Sequence, residues 1–456
     1  NLRELEFDVN PVVSQLVPTE QMTKFYAFYG ITPDHPLDLS FRHSALAGSY
    51  FLGKCRVENS LLYKTDIRGD ELKRKGDIVK TGLFTSTLTR DEMIDIRDSL
   101  LVKTLVHNYS HDPELPETFT IYDTLAMDYS NIHGAPTNGC FLGPFATVDL
   151  TTVHDCVIGA YSYIQAGEIN HMQVDPGTIW VNSPGNFNFL YNYPSEELAP
   201  YISLSPERVP WGKLIDFIDQ HKDAFNRVFN SANLESIASI PESASLDRYA
   251  VVLPSTSIDE NVLVSQRAYL ENSLLGKGAN AQENCFIINS TLKGYNVSAH
   301  GSKIIEADLD TNVFTGFNSF VAGRPENRLS IGKGCIIMPH TIIDTEAHME
   351  IPSNHLVWGL VRNQKELEEN SISLDVLEKI SSPLKQGRMH FEGNGSAFVA
   401  AFRNRIHHIL EVNGAFFENG EQSGHAQRNQ RLSLNTIQPF QFGEMQGLYP
   451  TIRILP

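Results

Sequence analysis

The 456-residue sequence is poor in cysteine, lacks long apolar runs and has fewer basic than acidic side chains. Its five cysteines are odd in number and show no Cys-x-x-Cys spacing, which favours buried free thiols in a reducing cytoplasm. Since no apolar run is long enough for a transmembrane helix or a secretory signal, we expect a cytoplasmic protein with no membrane partner. The formal net charge of −18 disfavours nucleic acid as a partner.

Motifs for phosphate binding and ester hydrolysis are missing too. The sequence contains neither a Gly-Lys-Ser/Thr phosphate loop nor a Gly-x-Ser-x-Gly nucleophile turn. Gly30 stands alone in the first 40 residues, and Gly276-Lys277-Gly278 is too short to enclose a phosphate. These absences argue against a sugar nucleotidyltransferase and against an enzyme with a serine nucleophile on a Gly-x-Ser-x-Gly turn.

What the chain does contain is a small or aliphatic residue at every sixth position. This spacing fits neither a helix of 3.6 residues per turn nor the simple alternation of a strand. It predicts a parallel β-helix, in which each flat side takes six residues and turns one side chain inward, and in which each coil is stable only when stacked on another. In the first half the positions are Ala146, Thr152, Ile158 and Ile164, and in the second half Val252, Ile258, Val264 and Leu270. After a slip of one residue the spacing resumes at Leu275, Ala281 and Ile287, and it returns at Ile331, Ile337 and Ile343.

The repeats resemble the left-handed β-helix, or hexapeptide-repeat, superfamily over residues 140–185 and 246–362 and less clearly over 40–135. In that superfamily three sides, about 18 residues, make one coil. The resemblance implies an all-β fold with helical additions, formed by two runs of a left-handed parallel β-helix. It also implies a homo-oligomer, most simply a trimer.

The composition divides the chain into five segments. We expect helices at Gln21–Tyr29, between 206 and 238, and at Gln364–Lys379, and a solvated loop at Arg68–Lys80. The predicted segments are an N-terminal segment (1–39), a first β-helical region with insertions (40–200), a helical bridge (201–245), a second β-helical region (246–362) and a C-terminal helix with an irregular extension (363–456).

One phrase of the first run points to chemistry. Thr152–Gly159 resembles the pattern Val-x-His-Asp/Glu-Cys-x-Ile-Gly of bacterial sugar acetyltransferases. The resemblance implies that His154 is the general base, since a neutral imidazole can accept the proton of an attacking amine or hydroxyl. It also implies that Asp155 orients His154. The alternative is a solvated histidine and aspartate at a corner of a coil.

Each run ends in a similar phrase, Asp175-Pro176-Gly177-Thr178 in the first and Ile351-Pro352 to Trp358-Gly359 in the second. Both resemble the closing phrase of hexapeptide acyltransferases, whose loop lines the coenzyme A site. The resemblance implies that Gly177, and Gly159 in the coil before it, bind acyl-CoA. The alternative is structural, because a Pro-Gly turn ends any β-helix.

The second run offers further candidates. His300 and His340 lie among small residues of the repeat and are candidate catalytic bases, with a surface histidine as the alternative reading. Arg324 and Arg328 lie in a loop that interrupts the run, and two guanidinium groups there could hold a phosphate or carboxylate of the substrate. The alternative is a solvated loop.

These observations favour an acyltransferase that moves an acyl group from acyl-CoA to a small, sugar-linked acceptor, without a metal. One alternative is a β-helix that serves only as a scaffold or binding protein. A second is a metal enzyme similar to the carbonic anhydrases of the superfamily, for which His107 and His111 are the candidate ligands.

Overall fold

The computed structural model describes residues 2–13, 17, 27–32, 38–80, 85–108, 116–226, 240–429 and 433–437. The chain forms two compact units, and each contains a left-handed parallel β-helix with three sides. The first unit consists of Asn1–Thr178, Leu198–Gly212 and Arg431–Pro456, and the second of Ile179–Glu197 and Lys213–Gln430.

In the first unit each side of the β-helix is a ladder of short parallel strands. The first side contains Ala27–Ile31, Ser49–Leu52, Asp66–Arg68, Leu105–His107, Asn131–His133, Thr147–Asp149 and Tyr163–Gln165. The second contains Leu39–Arg42, Cys55–Glu58, Met93–Arg97, Thr118–Tyr122, Thr137–Asn138, Thr151–His154 and Gly167–Asn170. The third contains Leu61–Tyr63, Leu100–Val102, Leu125–Ala126, Phe141–Leu142, Val157–Ile158 and Gln173–Val174.

Other elements of the first unit lie outside the coils. They are the helical turns Leu2–Leu5 and Asn10–Val13, the hairpin Ile78–Lys80 with Thr85–Thr87, and the hairpin Ser203–Leu204 with Pro210–Trp211. The strand Ser433–Ile437 pairs antiparallel with Ala27–Ile31, at the end of the first side.

The second unit repeats the architecture. Its first side contains Ser245–Leu246, Leu263–Val264, Asn280–Ala281, Val297–Ser298, Phe314–Thr315, Ile336–Ile337, His355–Val357 and the antiparallel Ser371–Ser373. The second contains Val251–Val252, Tyr269–Glu271, Phe286–Ile288, Lys303–Ile305, Phe320–Ala322, Ile342–Asp344 and Leu360–Val361. The third contains Ser257–Ile258, Leu274–Leu275, Thr291–Leu292, Ala307–Leu309, Leu329–Ile331 and Met349–Ile351.

Helices and antiparallel strands complete the second unit. The strands are Phe187–Asn192, Met389–Gly393 and Leu384–Gln386. The helices are Lys213–His221, the 3₁₀ turn Lys222–Asn226, Gln364–Glu369, Leu374–Leu377, Gly395–Val412 and His425–Arg428. The strand Thr178–Ser183 and the helix Ser195–Leu198 each run across a boundary between the units.

The six-residue period marks the interior of the coils, with one exception. The aliphatic residues from Val264 to Ile343 that carry the period belong to one buried core, and Val252 and Ile258 are partly buried at its first coils. In the first unit Ala146, Ile158 and Ile164 are buried, but Thr152 is not, and Val153 points inward instead. The prediction for Thr152 was wrong because the coil is shorter than three full hexapeptides.

The register gives the coil lengths directly. Asn131, Thr147 and Tyr163 stand in register at intervals of 16 residues. In the second unit Leu263, Asn280 and Val297 stand in register at intervals of 17. A coil of 16 or 17 residues shortens one corner, which shifts the interior position by one residue in some hexapeptides. This explains the slip between Leu270 and Leu275.

Two helix predictions need correction. The predicted helix Gln364–Lys379 is two short helices separated by the strand Ser371–Ser373, because the Asn370 side chain donates to the carbonyls of Glu366 and Leu360 and ends the first. The predicted irregular extension contains the 18-residue helix Gly395–Val412.

The other segments also differ from expectation. The helical spacing over 206–238 corresponds to the helix Lys213–His221 and the 3₁₀ turn after it. Leu214 and Ile218 on this helix are buried, whereas Trp211, which precedes the helix, is 51% exposed. Residues 227–239 lie outside the described residues. The predicted helix Gln21–Tyr29 lies mostly outside them as well, and its last residues belong to the strand Ala27–Ile31. The predicted solvated loop Arg68–Lys80 begins with a buried ion pair between Arg68 and Asp70.

All five cysteines, Cys55, Cys140, Cys156, Cys285 and Cys335, are free thiols and buried. Burial raises the pKa of Cys140 to about 12 and that of Cys335 to about 11, because a thiolate is poorly solvated there. These thiols therefore behave as small apolar side chains of the coil interior. Among the helices that the structure describes, none combines the length and apolarity that a membrane span requires.

Candidate active site

The corners of the coils place polar residues above one another. In the second unit one corner carries a residue with positive φ in each coil, at Arg267, Asn284, Gly301, Asn318 and His340. The backbone N–H of each donates to a carbonyl of the preceding coil, for example Gly301 to Glu283 and Asn318 to His300. Residues that precede this corner, 17 positions apart in sequence, are therefore neighbours in space.

This stacking brings His300 onto Glu283. The Nδ1 of His300 lies 2.6 Å from Oε2 of Glu283. Both residues are buried, with exposed fractions of 2% for His300 and 1% for Glu283. A carboxylate at Nδ1 orients an imidazole and stabilises its charged form, so that proton transfer to or from a substrate would take place at Nε2. The contact is an ion-pair distance between a histidine and a carboxylate, which is the electrostatic element of a general base with its orienting group.

Tight packing holds the corner. Gly301 has a φ of 71°, and a Cβ there would lie 2.2 Å from Oδ1 of Asn318. On the other side of His300, the ring of Phe317 lies 5.2 Å away between centroids. The guanidinium of Arg405 lies 6.0 Å from the centroid of Phe317. The imidazole is thus confined between one carboxylate and one aromatic ring.

A buried lysine follows the pair in the same coil. Lys303 stands in register between Phe286 and Phe320, and its Nζ donates to the carbonyl of Gly301 at 2.5 Å. Burial lowers the pKa of Lys303 to about 7. The reason is that the charged ammonium group loses its stabilising hydration, whereas the neutral amine needs little hydration. Near neutral pH this side chain can change charge next to the corner.

The lowered pKa of Lys303 predicts a pH dependence of stability. The unfolded chain keeps the ordinary lysine pKa of 10.5, so between pH of about 7 and 10.5 it binds one proton more than the folded chain. The free energy of unfolding should therefore rise with pH in this window, by roughly 1.4 kcal/mol per pH unit at most. Lys303→Met should remove this slope, which denaturant titrations at several pH values would measure.

Lys293→Met is the matched control, since Lys293 is exposed and pairs with Asp310 in a surface contact of 3.3 Å. The control should keep the slope of the parent protein. Equal slopes for the parent and Lys303→Met would contradict the assignment.

His340 occupies the left-handed corner position itself, with a φ of 58°, and is fully buried. Its carbonyl oxygen accepts a hydrogen bond from the hydroxyl of Tyr193 at 2.7 Å. The backbone of His340 thus anchors the strand that ends at Asn192 to the corner. A catalytic role for its imidazole stays a prediction.

His154 and Asp155 lie at a corner of the first unit. His154 ends the strand Thr151–His154, is half-buried and stands in register between Asn138 and Asn170. Asp155 has a φ of 51°, and its Oδ1 lies 2.4 Å from the position that a Cβ on Gly139 would take. The carboxylate therefore covers the preceding corner. The roles of base and orienter stay predictions for this pair.

The two glycines named as coenzyme contacts have clear structural reasons to be glycine. A Cβ on Gly159 would lie 2.4 Å from the backbone nitrogen of Pro176 in the next coil. Gly177 has a φ of 75° and occupies the same left-handed corner position as Phe145 and Tyr161 in the preceding coils. Neither observation tests binding of acyl-CoA.

Arg324 and Arg328 are both held by carboxylates of their own unit. Arg328 forms a two-point contact with Asp308 at 2.8 and 2.9 Å and also reaches Glu306 at 2.9 Å. Arg324 pairs with Asp344 at 3.0 Å and with Glu346. These carboxylates balance the charge of the two guanidinium groups, and binding of an anionic substrate by them stays a prediction.

Sequence reasoning missed Glu283 and Lys303. Glu283 lies 17 residues before His300, which is one coil, but the coil length becomes visible only in the register. Of the two histidines considered as metal ligands, His107 ends the strand Leu105–His107. His111 lies outside the described residues.

Comparison with known proteins bears on this fold and site. The family model "Hexapeptide repeat including loop" matches residues 84–206. A crystal structure at 2.28 Å resolution from Desulfovibrio desulfuricans G20, of a protein named a "putative acetyltransferase", is 49% identical to this chain. The similarity covers 100% of this chain and 96% of that one, with a TM-score of 0.91. The chain belongs to the hexapeptide-repeat family of left-handed β-helix proteins.

Membership of the hexapeptide-repeat family agrees with the repeats and with the three-sided coils. Comparison with curated protein sequences finds no match.

Proposed function

We propose that this hexapeptide-repeat protein is an acyltransferase that moves an acyl group from acyl-CoA to a small acceptor. The observation that carries the proposal is the contact of 2.6 Å between Nδ1 of His300 and Oε2 of Glu283. The name of the similar Desulfovibrio protein supports the same reaction class. The resemblance of the phrase around His154 to sugar acetyltransferases favours a sugar-linked acceptor.

In the proposed reaction His300 takes the proton of the acceptor amine or hydroxyl on Nε2 as the nucleophile attacks the thioester carbonyl. The tetrahedral intermediate collapses, the carbon–sulfur bond breaks, and the proton passes from His300 to the sulfur of the departing coenzyme A. Glu283 favours the charged imidazolium while the proton resides there. Burial of the pair strengthens this electrostatic interaction.

The first test is binding of the acyl donor. Isothermal titration calorimetry with acetyl-CoA and with coenzyme A should show saturable binding with one site per chain. A thiol-release assay with a panel of nucleotide sugars should then identify an acceptor that accelerates release of coenzyme A.

The homotrimer and the cytoplasmic location remain predictions from the resemblance and the composition.

Absence of both binding and thiol release at millimolar acetyl-CoA would contradict the proposal. It would instead favour a scaffold or binding role for the β-helix. Adenosine 3′,5′-bisphosphate serves as the control ligand, because it lacks the thioester and tests for binding of the nucleotide part alone.

A further inference from the structure

Polar side chains collect on the first side of the first unit, in the middle of its ladder. His107, His133 and Asp149 stand in register on three consecutive strands. The residues beside them, Val106 and Ile132, point into the coil interior, so the three polar side chains share the outer face of this side. All three are buried, and Asp149 has no exposed surface.

The two histidines are close enough to share an ion. A ligand nitrogen of His107 and one of His133 lie within 4.8 Å of each other, and the rings meet edge to face with centroids 5.0 Å apart. Two imidazole nitrogens bound to one tetrahedral zinc ion are about 3.3 Å apart, given bonds of roughly 2.0–2.1 Å. The proposed site therefore requires the two nitrogens to approach to about this distance when the ion binds.

A carboxylate lies beside this pair. Oε1 of Glu71 is 3.4 Å from Nε2 of His107. Glu71 is only partly buried, so its side chain has room to move toward an ion. Its neighbour Asp70 is already engaged by the guanidinium of Arg68 and is buried with it. Its contact with His107 and its partial exposure make Glu71 the candidate oxygen ligand.

Nδ1 of His133 contacts a carboxylate, as the second ring nitrogen of a histidine ligand does in known metal sites. Nδ1 of His133 lies 2.8 Å from Oδ1 of Asp149, and the hydroxyl of Tyr163 donates to the other oxygen of that carboxylate. A carboxylate on one ring nitrogen fixes the ring and makes the other nitrogen a better ligand. In this arrangement Nε2 of His133 is the nitrogen that would bind the ion.

We propose that His107, His133 and Glu71 bind a divalent transition-metal ion, with zinc as the metal that two imidazoles and one carboxylate suit best. Asp149 and Tyr163 are positioning residues for His133. A tetrahedral ion has one further position, for a fourth donor. The proposal departs from the sequence-based expectation of no metal.

The test uses the full chain, stripped with a chelator and titrated with zinc sulfate in a calorimeter. We expect one zinc per chain, and a cobalt-loaded sample should show the visible absorption bands of tetrahedral coordination. His107→Ala and His133→Ala should each abolish the high-affinity site. Glu71→Gln should weaken binding, and Asp149→Asn should weaken it by about 10–100-fold.

His43→Ala is the control, because His43 is an exposed histidine of the same unit and should leave zinc binding unchanged. Glu71→Gln keeps the proposal testable if the histidine variants fold poorly, since it preserves shape at a partly exposed position. Stripped protein that takes up no zinc, or an affinity that Glu71→Gln and Asp149→Asn do not change, would overturn the site. Metal content is measured without any acyl-transfer assay, so this result is separate from the proposed function.

Discussion

Replacing His300 by alanine should lower the rate of acyl transfer by about 10²–10⁴-fold, the usual contribution of a positioned general base. The reason is the contact with Glu283, which prepares one ring nitrogen of His300 for proton transfer. Thiol release at saturating acetyl-CoA and acceptor, with thermal unfolding of the same samples, measures both activity and folding.

His154→Ala is the matched comparison, because the resemblance to sugar acetyltransferases names His154 as the base. If His300 is the base, His154→Ala should retain most of the activity. A large loss in His154→Ala with normal activity in His300→Ala would reverse the assignment and restore the prediction from the sequence.

Glu283→Gln gives a readout that a purely structural role would not produce. A neighbouring carboxylate favours the charged imidazolium, so its neutralisation should move the acidic limb of the pH–rate profile to lower pH. The rate itself should fall less than in His300→Ala. An unchanged profile would argue that Glu283 only packs in the corner.

Replacing Gly159 by alanine should destabilise the first unit strongly, by about 3 kcal/mol. The added Cβ would lie 2.4 Å from the backbone nitrogen of Pro176 and 2.8 Å from the backbone carbon of Asp175. Since these atoms belong to the next coil and cannot rotate away, the two coils must separate and lose contacts on each side. Chemical denaturation followed by circular dichroism would report the loss.

Gly167→Ala is the control for this variant. Gly167 has a φ of 76° but no atom within 4 Å of an added Cβ. The control therefore carries only the backbone strain of a left-handed alanine, about 1–2 kcal/mol. A loss at Gly159 no greater than at Gly167 would contradict the packing argument. Normal stability of Gly159→Ala with weak binding of acetyl-CoA would instead support the predicted coenzyme contact.

The interior of the fold could be predicted from the sequence because one side chain per hexapeptide is buried on every side of the coil. Ile287, Ile304 and Ile337 are all fully buried. The period could not show which corners are one residue short, and for this reason Thr152 was placed inside where Val153 belongs.

The candidate site could be predicted only in part. His300 was named from its small neighbours, but its partner Glu283 requires the coil length of 17. Nor does the sequence show that Lys303 is buried, since a lysine on a strand is usually solvated. Such pairings depend on register, which a single sequence does not contain.

The antiparallel strands have a consequence for how such a chain can grow. Ser433–Ile437 pairs with the first strand of one ladder, Ala27–Ile31, and Ser371–Ser373 pairs with the last parallel strand of another, His355–Val357. Each reverses direction at an edge where a further parallel coil, or the edge of a second molecule, would otherwise add. Duplication therefore cannot lengthen the runs at these two edges by adding a terminal coil, unless that coil displaces a strand that is already paired.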